Sequence, residues 1–422
     1  MVQKLKQKLN SLLQGGFFHI FIGNTLVKMI AFISSIVIVR LVNKDDYAYL
    51  TYADNLYNYV ISFAGLGMTS SILKYCASAK SQEEDKAYFV FAMKYGTLFE
   101  TLLSLIVVVY VTFSVIPFPE ARDIVYILVL YPTLNNIINT VLSYLRAHGE
   151  NQAYAKAAVI QTAGVFIFSV VFVIVIGIKG IAIARYCAII CAILAVLSVV
   201  NKYLKKTTAR RLTRKEISGF MIMSISLTMS NLFSLIMPIN EMTLVNELLR
   251  NETITANYKI AVMIPSQLSF VTQSIIVYYF TIVARTENKK DVWKLSKRVG
   301  ILTALIIAAI SIVGAVFSPL IINVVYGSRY ADAAALSTVF WIVNAINAAF
   351  RMIPMNFLPA IGIAKFNAVM AAGSCGVHLI ATYIAISQFG IWGAGIATGG
   401  VYIISGLIYW GYYRKKCLEN SL

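Results

Sequence analysis

The chain has 422 residues, of which 59% are hydrophobic and 13% charged. A soluble domain carries roughly a quarter charged residues, so this composition excludes an ordinary water-soluble enzyme and points to a membrane. The net charge of +18 resides mainly between apolar runs, where it reads as an orientation signal rather than a nucleic-acid footprint.

Residues 1–16 are basic and amphipathic, with Leu5, Leu9, Leu12 and Leu13 on one helical face and no small-residue cleavage site. An uncleaved interfacial helix is expected there. Apolar runs then follow at 17–41, 47–72, 88–116, 122–145, 153–176 and 178–201. A second set covers 218–245, 256–282, 299–322, 331–359, 366–387 and 391–413. Each is long enough to cross a hydrocarbon core, which predicts about twelve transmembrane helices. The cysteines Cys76, Cys187, Cys191, Cys375 and Cys417 are odd in number and lack metal-ligand spacing. They indicate neither a disulfide framework nor a zinc site.

The two sets repeat one another. Leu145-Arg146-Ala147-His148-Gly149 returns as Leu358-Pro359-Ala360-Ile361-Gly362, and the run from Gly177 to Ala184 returns from Gly390 to Ala397, each time 213 residues later. Internal repetition at half the chain length predicts two homologous six-helix lobes. An even span count gives them the same orientation, related by a pseudo-two-fold axis along the membrane normal. The expected organisation is an N-lobe at 17–201, a basic linker at 202–217, a C-lobe at 218–413 and a tail at 414–422. With the N-terminus cytoplasmic, about 25 Lys and Arg fall on the inner side and about 7 outside, so both termini are expected in the cytoplasm.

Polar residues at membrane depth are costly unless they face protein, water or a ligand. Steps of three, four and seven place Asn24 and Lys28 on one face of the first span, and Asp54 and Asn58 on one face of the second. Asn135, Asn139 and Ser143 form a stripe on the fourth. Ser224, Thr228, Asn231, Pro238 and Glu241 follow on the seventh, and Asn344, Asn347 and Arg351 on the tenth. These stripes, on spans of both lobes, suggest a hydrated cavity between the lobes, although interhelical hydrogen bonds use the same residue types. Lys28, Arg351, Lys259 and Arg185 are the candidate cations for an anionic ligand; Lys259 and Arg185 also suit snorkelling or a local ion pair. Asp54, Glu100 and Glu241 could neutralise them or carry a coupling proton or sodium ion. Five tyrosines of span two (Tyr47, Tyr49, Tyr52, Tyr57 and Tyr59) suit an interfacial belt better than a sugar platform.

Several motifs, in this order within a twelve-span repeat, resemble the polysaccharide-transport branch of the multidrug/oligosaccharidyl-lipid/polysaccharide flippase superfamily. They are Phe63-Ala64-Gly65-Leu66-Gly67 with Ile72-Leu73-Lys74-Tyr75, and Tyr144-Leu145-Arg146-Ala147-His148-Gly149 with Tyr154-Ala155. Further along come Val325-Tyr326-Gly327-Ser328-Arg329-Tyr330 and Gly390-Ile391-Trp392-Gly393-Ala394-Gly395-Ile396-Ala397-Thr398. The resemblance implies a V-shaped transporter with a cationic lumen. It would flip undecaprenyl-diphosphate-linked repeat units of O-antigen or capsule across a bacterial inner membrane. Lys28 is the nearest match to first-helix cations of the related peptidoglycan-lipid flippases, and Lys259 is a looser match. Where relatives often carry an acidic residue in span seven, this chain has Asn240-Glu241.

The glycan polymerase and chain-length machinery would be partners, and no cofactor or nucleic acid is implied. No nucleotide-binding motif appears, so an ion gradient, substrate supply or product consumption would supply energy. A multidrug antiporter of the same superfamily would share the architecture. A membrane-embedded polymerase or ligase would be expected to show a substantial outward loop, whereas the predicted outward loops are short.

Overall fold

In the computed structural model, residues 17–204 and 208–418 are described, apart from the side chains of 17–22, 230, 231, 234, 277, 281 and 364. The interfacial helix expected at 1–16 and the Asn231 side chain lie outside the described residues. Among the described residues all regular structure is helical.

The first half comprises α1 (Phe17–Leu41), α2 (Lys44–Ile61), α3 (Met68–Ala77), α4 (Gln82–Phe113), α5 (Arg122–Ile127), α6 (Tyr131–Ala147), α7 (Asn151–Ile176) and α8 (Lys179–Leu204). The second begins with α9 (Arg214–Leu249), α10 (Glu252–Met263), α11 (Leu268–Arg285), α12 (Lys289–Val316) and α13 (Ser318–Tyr326). It continues with α14 (Ala333–Ile346), a π turn at Asn347–Arg351, α15 (Met352–Ala360), α16 (Ala364–Phe389) and α17 (Trp392–Leu418). Ten helical stretches among the described residues are long and apolar enough to cross a membrane. The protein is an all-α, multi-pass membrane protein.

The expected span 47–72 requires correction: it is two helices, not one. Ala64, Gly65, Leu66 and Gly67 have φ of 46°, 59°, 56° and 75°, and four left-handed residues in a row stop α2 and restart the chain as α3. Two of the four carry a Cβ and are strained there, by roughly 1–2 kcal/mol each. Gly65 and Gly67 cannot be replaced without displacement, because a Cβ would lie 2.6 Å from Asn136 Oδ1 and 2.1 Å from the Ser224 carbonyl. The tyrosine belt is also revised. Tyr47, Tyr52 and Tyr57 are buried, and the Tyr57 hydroxyl donates to the Val125 carbonyl at 2.7 Å.

The sequence repeat is a repeat of helix ends. Gly149 and Gly362 are left-handed, with φ of 72° and 84°. The next amides, Glu150 and Ile363, each return to the carbonyl five residues back at 2.9 Å, the bond of a Schellman cap. Gly177 and Gly390 likewise end α7 and α16 with φ of 66° and 59°. Gly180 and Gly393 open the next helices so close to the preceding ones that a Cβ would meet Phe172 backbone at 2.5 Å or the Ala385 carbonyl at 2.1 Å.

The chain packs as two compact units, Met1–Leu232 and Phe233–Leu422. This division falls inside α9, later than the basic linker expected at 202–217. The reason is packing: Phe220 of α9 lies against Tyr75 and Tyr88, and the Ser224 hydroxyl donates to Ser71 at 2.8 Å. Before α9 the chain is held at Arg210, which pairs with Glu216 at 2.6 Å and Glu84 at 3.6 Å. Thr213 and Glu216 form a reciprocal capping box. Those partners hold the Glu216 carboxyl down to about 2. The expected tail at 414–422 continues α17 as far as Leu418.

Candidate functional site

Each unit contains a cavity among its helices that is lined in part by polar side chains. In the second unit a cavity of about 300 Å³ is lined by Pro238 and Glu241 of α9, Tyr258 of α10, Asn344 of α14, Asn347 and Arg351 of the π turn, and Thr398 and Tyr402 of α17. A π turn inserts one residue into the helical ladder, rotating the next turn of helix by about 100°. Asn344 and the two ends of the π turn, Asn347 and Arg351, all reach the cavity.

Arg351 is 5% exposed. Its Nη1 donates to Asn347 Oδ1 at 3.3 Å, and its guanidinium lies 5.3 Å from the Tyr402 ring and 6.0 Å from Tyr409. Nε and Nη2 have no partner among the described residues. These two N–H groups share one edge of the planar guanidinium, the edge that grips two oxygens of a carboxylate or phosphate side by side. A buried cation without a carboxylate partner is costly, and it becomes favourable when an anion enters.

Glu241 is 4% exposed and His378 1%. The Thr398 hydroxyl donates to Glu241 Oε2 at 2.8 Å and lies 2.9 Å from His378 Nε2. A hydroxyl has one proton to give, so His378 donates from Nε2 to Thr398. The imidazole stands 3.6 Å from the Glu241 carboxylate. Lys259, half-buried on α10, does not line this cavity.

In the first unit a cavity of about 200 Å³ is lined by Thr69 of α3, Glu100 of α4, Asn135, Asn136, Asn139, Ser143 and Arg146 of α6, and Tyr154 of α7. The predicted stripe Asn135, Asn139 and Ser143 therefore faces one cavity wall. Glu100 is 1% exposed and accepts the Gly65 amide at 2.7 Å, bonding α4 to the left-handed turn. Asn24, exposed on α1, accepts from Tyr154 at 3.3 Å. Lys28 and Asn58 are exposed and line neither cavity.

Arg185 and Asp54 face each other instead of a ligand. Two bonds join them, Nη2 to Oδ2 at 2.8 Å and Nη1 to Oδ1 at 2.5 Å, and the guanidinium covers the Tyr131 ring at 5.2 Å. Arg185 is placed as half of a neutral pair, not as a cavity cation. A further cluster joins helix ends: Tyr144 donates to Asp85 Oδ2 at 2.6 Å, and His148 Nε2 is 3.1 Å from the same oxygen. Burial opposes protonation of His148, but Asp85, the Tyr144 carbonyl and Glu150 outweigh it and raise its pKa. Sequence reasoning missed Asn136, His378 and Thr398 as site residues. Only His378, a lone imidazole in an apolar span, carried a signal that could have found one of them.

A family model described as "Polysaccharide biosynthesis protein" matches residues 12–284. The chain belongs to that family. A search of curated proteins gives no match. Among solved structures, an inward-facing multidrug resistance MATE family transporter of the MOP superfamily aligns over 93% of this chain and 94% of its own, with TM-score 0.69 and 14% identity. A MOP superfamily transporter from Pyrococcus furiosus, described as having a binding pocket of reverse polarity that suggests a different function, aligns over 95% and 94%, with TM-score 0.61 and 13% identity. An outward-facing MATE transporter gives TM-score 0.58 at 12% identity over 95% and 94%. This family member thus shares the fold of these transporters.

Proposed function

We propose that this protein flips undecaprenyl-diphosphate-linked oligosaccharide repeat units, of O-antigen or capsule, from the cytoplasmic to the outer leaflet of a bacterial inner membrane. The observation that carries this reading is Arg351, a buried guanidinium whose two-donor edge has no partner among the described residues, in a cavity lined by a candidate membrane-spanning stretch. A diphosphate cannot cross hydrocarbon unaided, and such an edge replaces part of its hydration while the prenyl chain stays in lipid. Glu241, with Thr398 and His378 beside it, is the carboxylate assigned to proton or sodium coupling. Both termini lie in the cytoplasm in this reading, and the polymerase and chain-length machinery receive the product.

The experiment is deletion of the gene in a bacterium that carries it. Repeat units accumulating on the inner leaflet, with loss of surface polymer, support the flippase. Repeat units that reach the outer leaflet unpolymerised would favour a polymerase or ligase. The aromatic and apolar wall of the same cavity, Phe340, Met352 and Tyr402, suits a multidrug antiporter, which intact glycan with raised drug sensitivity would favour.

A further inference from the structure

Two residues that line the cavity of the first unit each carry a buried polar atom, and the two atoms have opposite requirements. Glu100 Oε1 takes the Gly65 amide, but Oε2 is buried with no partner among the described residues. Asn136, 4% exposed, accepts the Thr69 hydroxyl on Oδ1 at 3.0 Å, while Nδ2 likewise has no partner among them. An unpaired buried donor or acceptor is costly, so two such atoms on residues lining one cavity call for an occupant. The carboxylate oxygen needs a donor and the amide needs an acceptor. A metal cation answers the first and not the second. A phosphate answers the second and is repelled by the first. A hydroxyl answers both.

We infer that this cavity is a sugar subsite, in which Glu100 and Asn136 hold a hydroxyl of a glycan residue between them and Asn139 reaches a neighbouring one. This rests on the flippase reading, and it gives the first unit's cavity a ligand chemistry of its own, a glycan hydroxyl. The cavity of about 200 Å³ is several times the roughly 30 Å³ share of one water, leaving room for a ring. It is also pre-organised. The Gly65 amide locks one carboxylate oxygen, the Thr69 hydroxyl locks the amide carbonyl, and the close approach of Gly65 to Asn136 seats the left-handed turn against α6. A site whose donors and acceptors are already held binds without losing affinity to ordering them.

The test is saturation-transfer NMR on the full chain in detergent with glucose, galactose, rhamnose and N-acetylglucosamine, each to tens of millimolar. Inorganic pyrophosphate is titrated in the same samples. At least one sugar should bind the wild type. Glu100→Gln keeps the carbonyl for Gly65 but turns the acceptor into a donor, and should weaken that sugar at least tenfold while pyrophosphate binding is unchanged. Asn139→Ala, at a half-buried position, should weaken it several-fold and covers the case in which Glu100→Gln fails to fold. No sugar signal with pyrophosphate bound overturns the subsite, leaves water as the occupant and leaves the flippase reading intact. Sugar binding that neither variant changes overturns it too. Sodium stabilisation that Glu100→Gln abolishes, without sugar binding, would replace it with a cation site.

Discussion

Arg185 and Arg351 show how the same side chain serves two purposes at membrane depth. Arg185 meets a carboxylate edge to edge, so its charge is answered within the protein. Removing Asp54 strands a cation whose side chain is 14% exposed. Asp54→Ala should therefore destabilise the purified protein by about 1–3 kcal/mol. The double variant with Arg185→Met should recover part of that loss, and additive losses in the thermal unfolding cycle would refute the pair. Arg351 behaves oppositely because its two-donor edge has no partner among the described residues. Arg351→Lys keeps the charge but loses the fork, so pyrophosphate affinity should fall about tenfold, and further in Arg351→Gln, with membrane abundance unchanged. Equal affinity in all three would remove Arg351 from the site. Arg351 was legible in the sequence as a charge inside an apolar span. The sequence already set it apart from Arg185, which also suited snorkelling or a local ion pair, but only the folded neighbours decide whether a charge is already answered.

At the scale of elements, the helix ends carry most of the specification. Gly180 and Gly393 occupy the same place in the two halves, and each lets one helix begin against the last. Gly180→Ala and Gly393→Ala should each lower stability by about 1–3 kcal/mol, read as a lower midpoint of thermal unfolding. Gly373→Ala, where a Cβ meets nothing, should be neutral or slightly stabilising.

The cluster at the end of α6 adds a pH dependence. His148 has a folded pKa above its ordinary value of about 6.5. Its stabilisation is complete below that ordinary value and is lost as pH rises through the raised one. Thermal midpoints of the wild type should therefore fall relative to His148→Gln across that interval, and parallel curves would exclude the linkage. The broken second span was hidden because its apolar residues run on through the break. The Gly-rich motif marked the place without stating the handedness of Ala64 and Leu66, which neighbouring contacts impose.

For the whole molecule, the charge asymmetry of the loops makes the topology testable. A phosphatase fused after Leu418 should be inactive and a fluorescent protein bright, and the reverse would invert the proposed orientation. The helix α9 belongs to both compact units. Phe220→Ala should therefore destabilise the first unit, where the ring packs on Tyr75 and Tyr88, by about 2–4 kcal/mol, read by proteolysis between residues 202 and 217.

Apolar run length, internal repetition and the placement of Lys and Arg were enough to determine an all-helical, multi-pass chain built from two related halves. Those properties follow from the hydrocarbon core, which demands satisfied backbones and long apolar stretches from each segment locally. Which polar residues meet was decided only by tertiary structure. Asn136 meets Thr69 and the Gly65 turn, Thr398 and His378 come to Glu241, and Asp54 quenches Arg185. Hydrogen bonds and ion pairs act over about 3 Å between atoms far apart in the chain, and helical periodicity reports the face a residue occupies but not its neighbour.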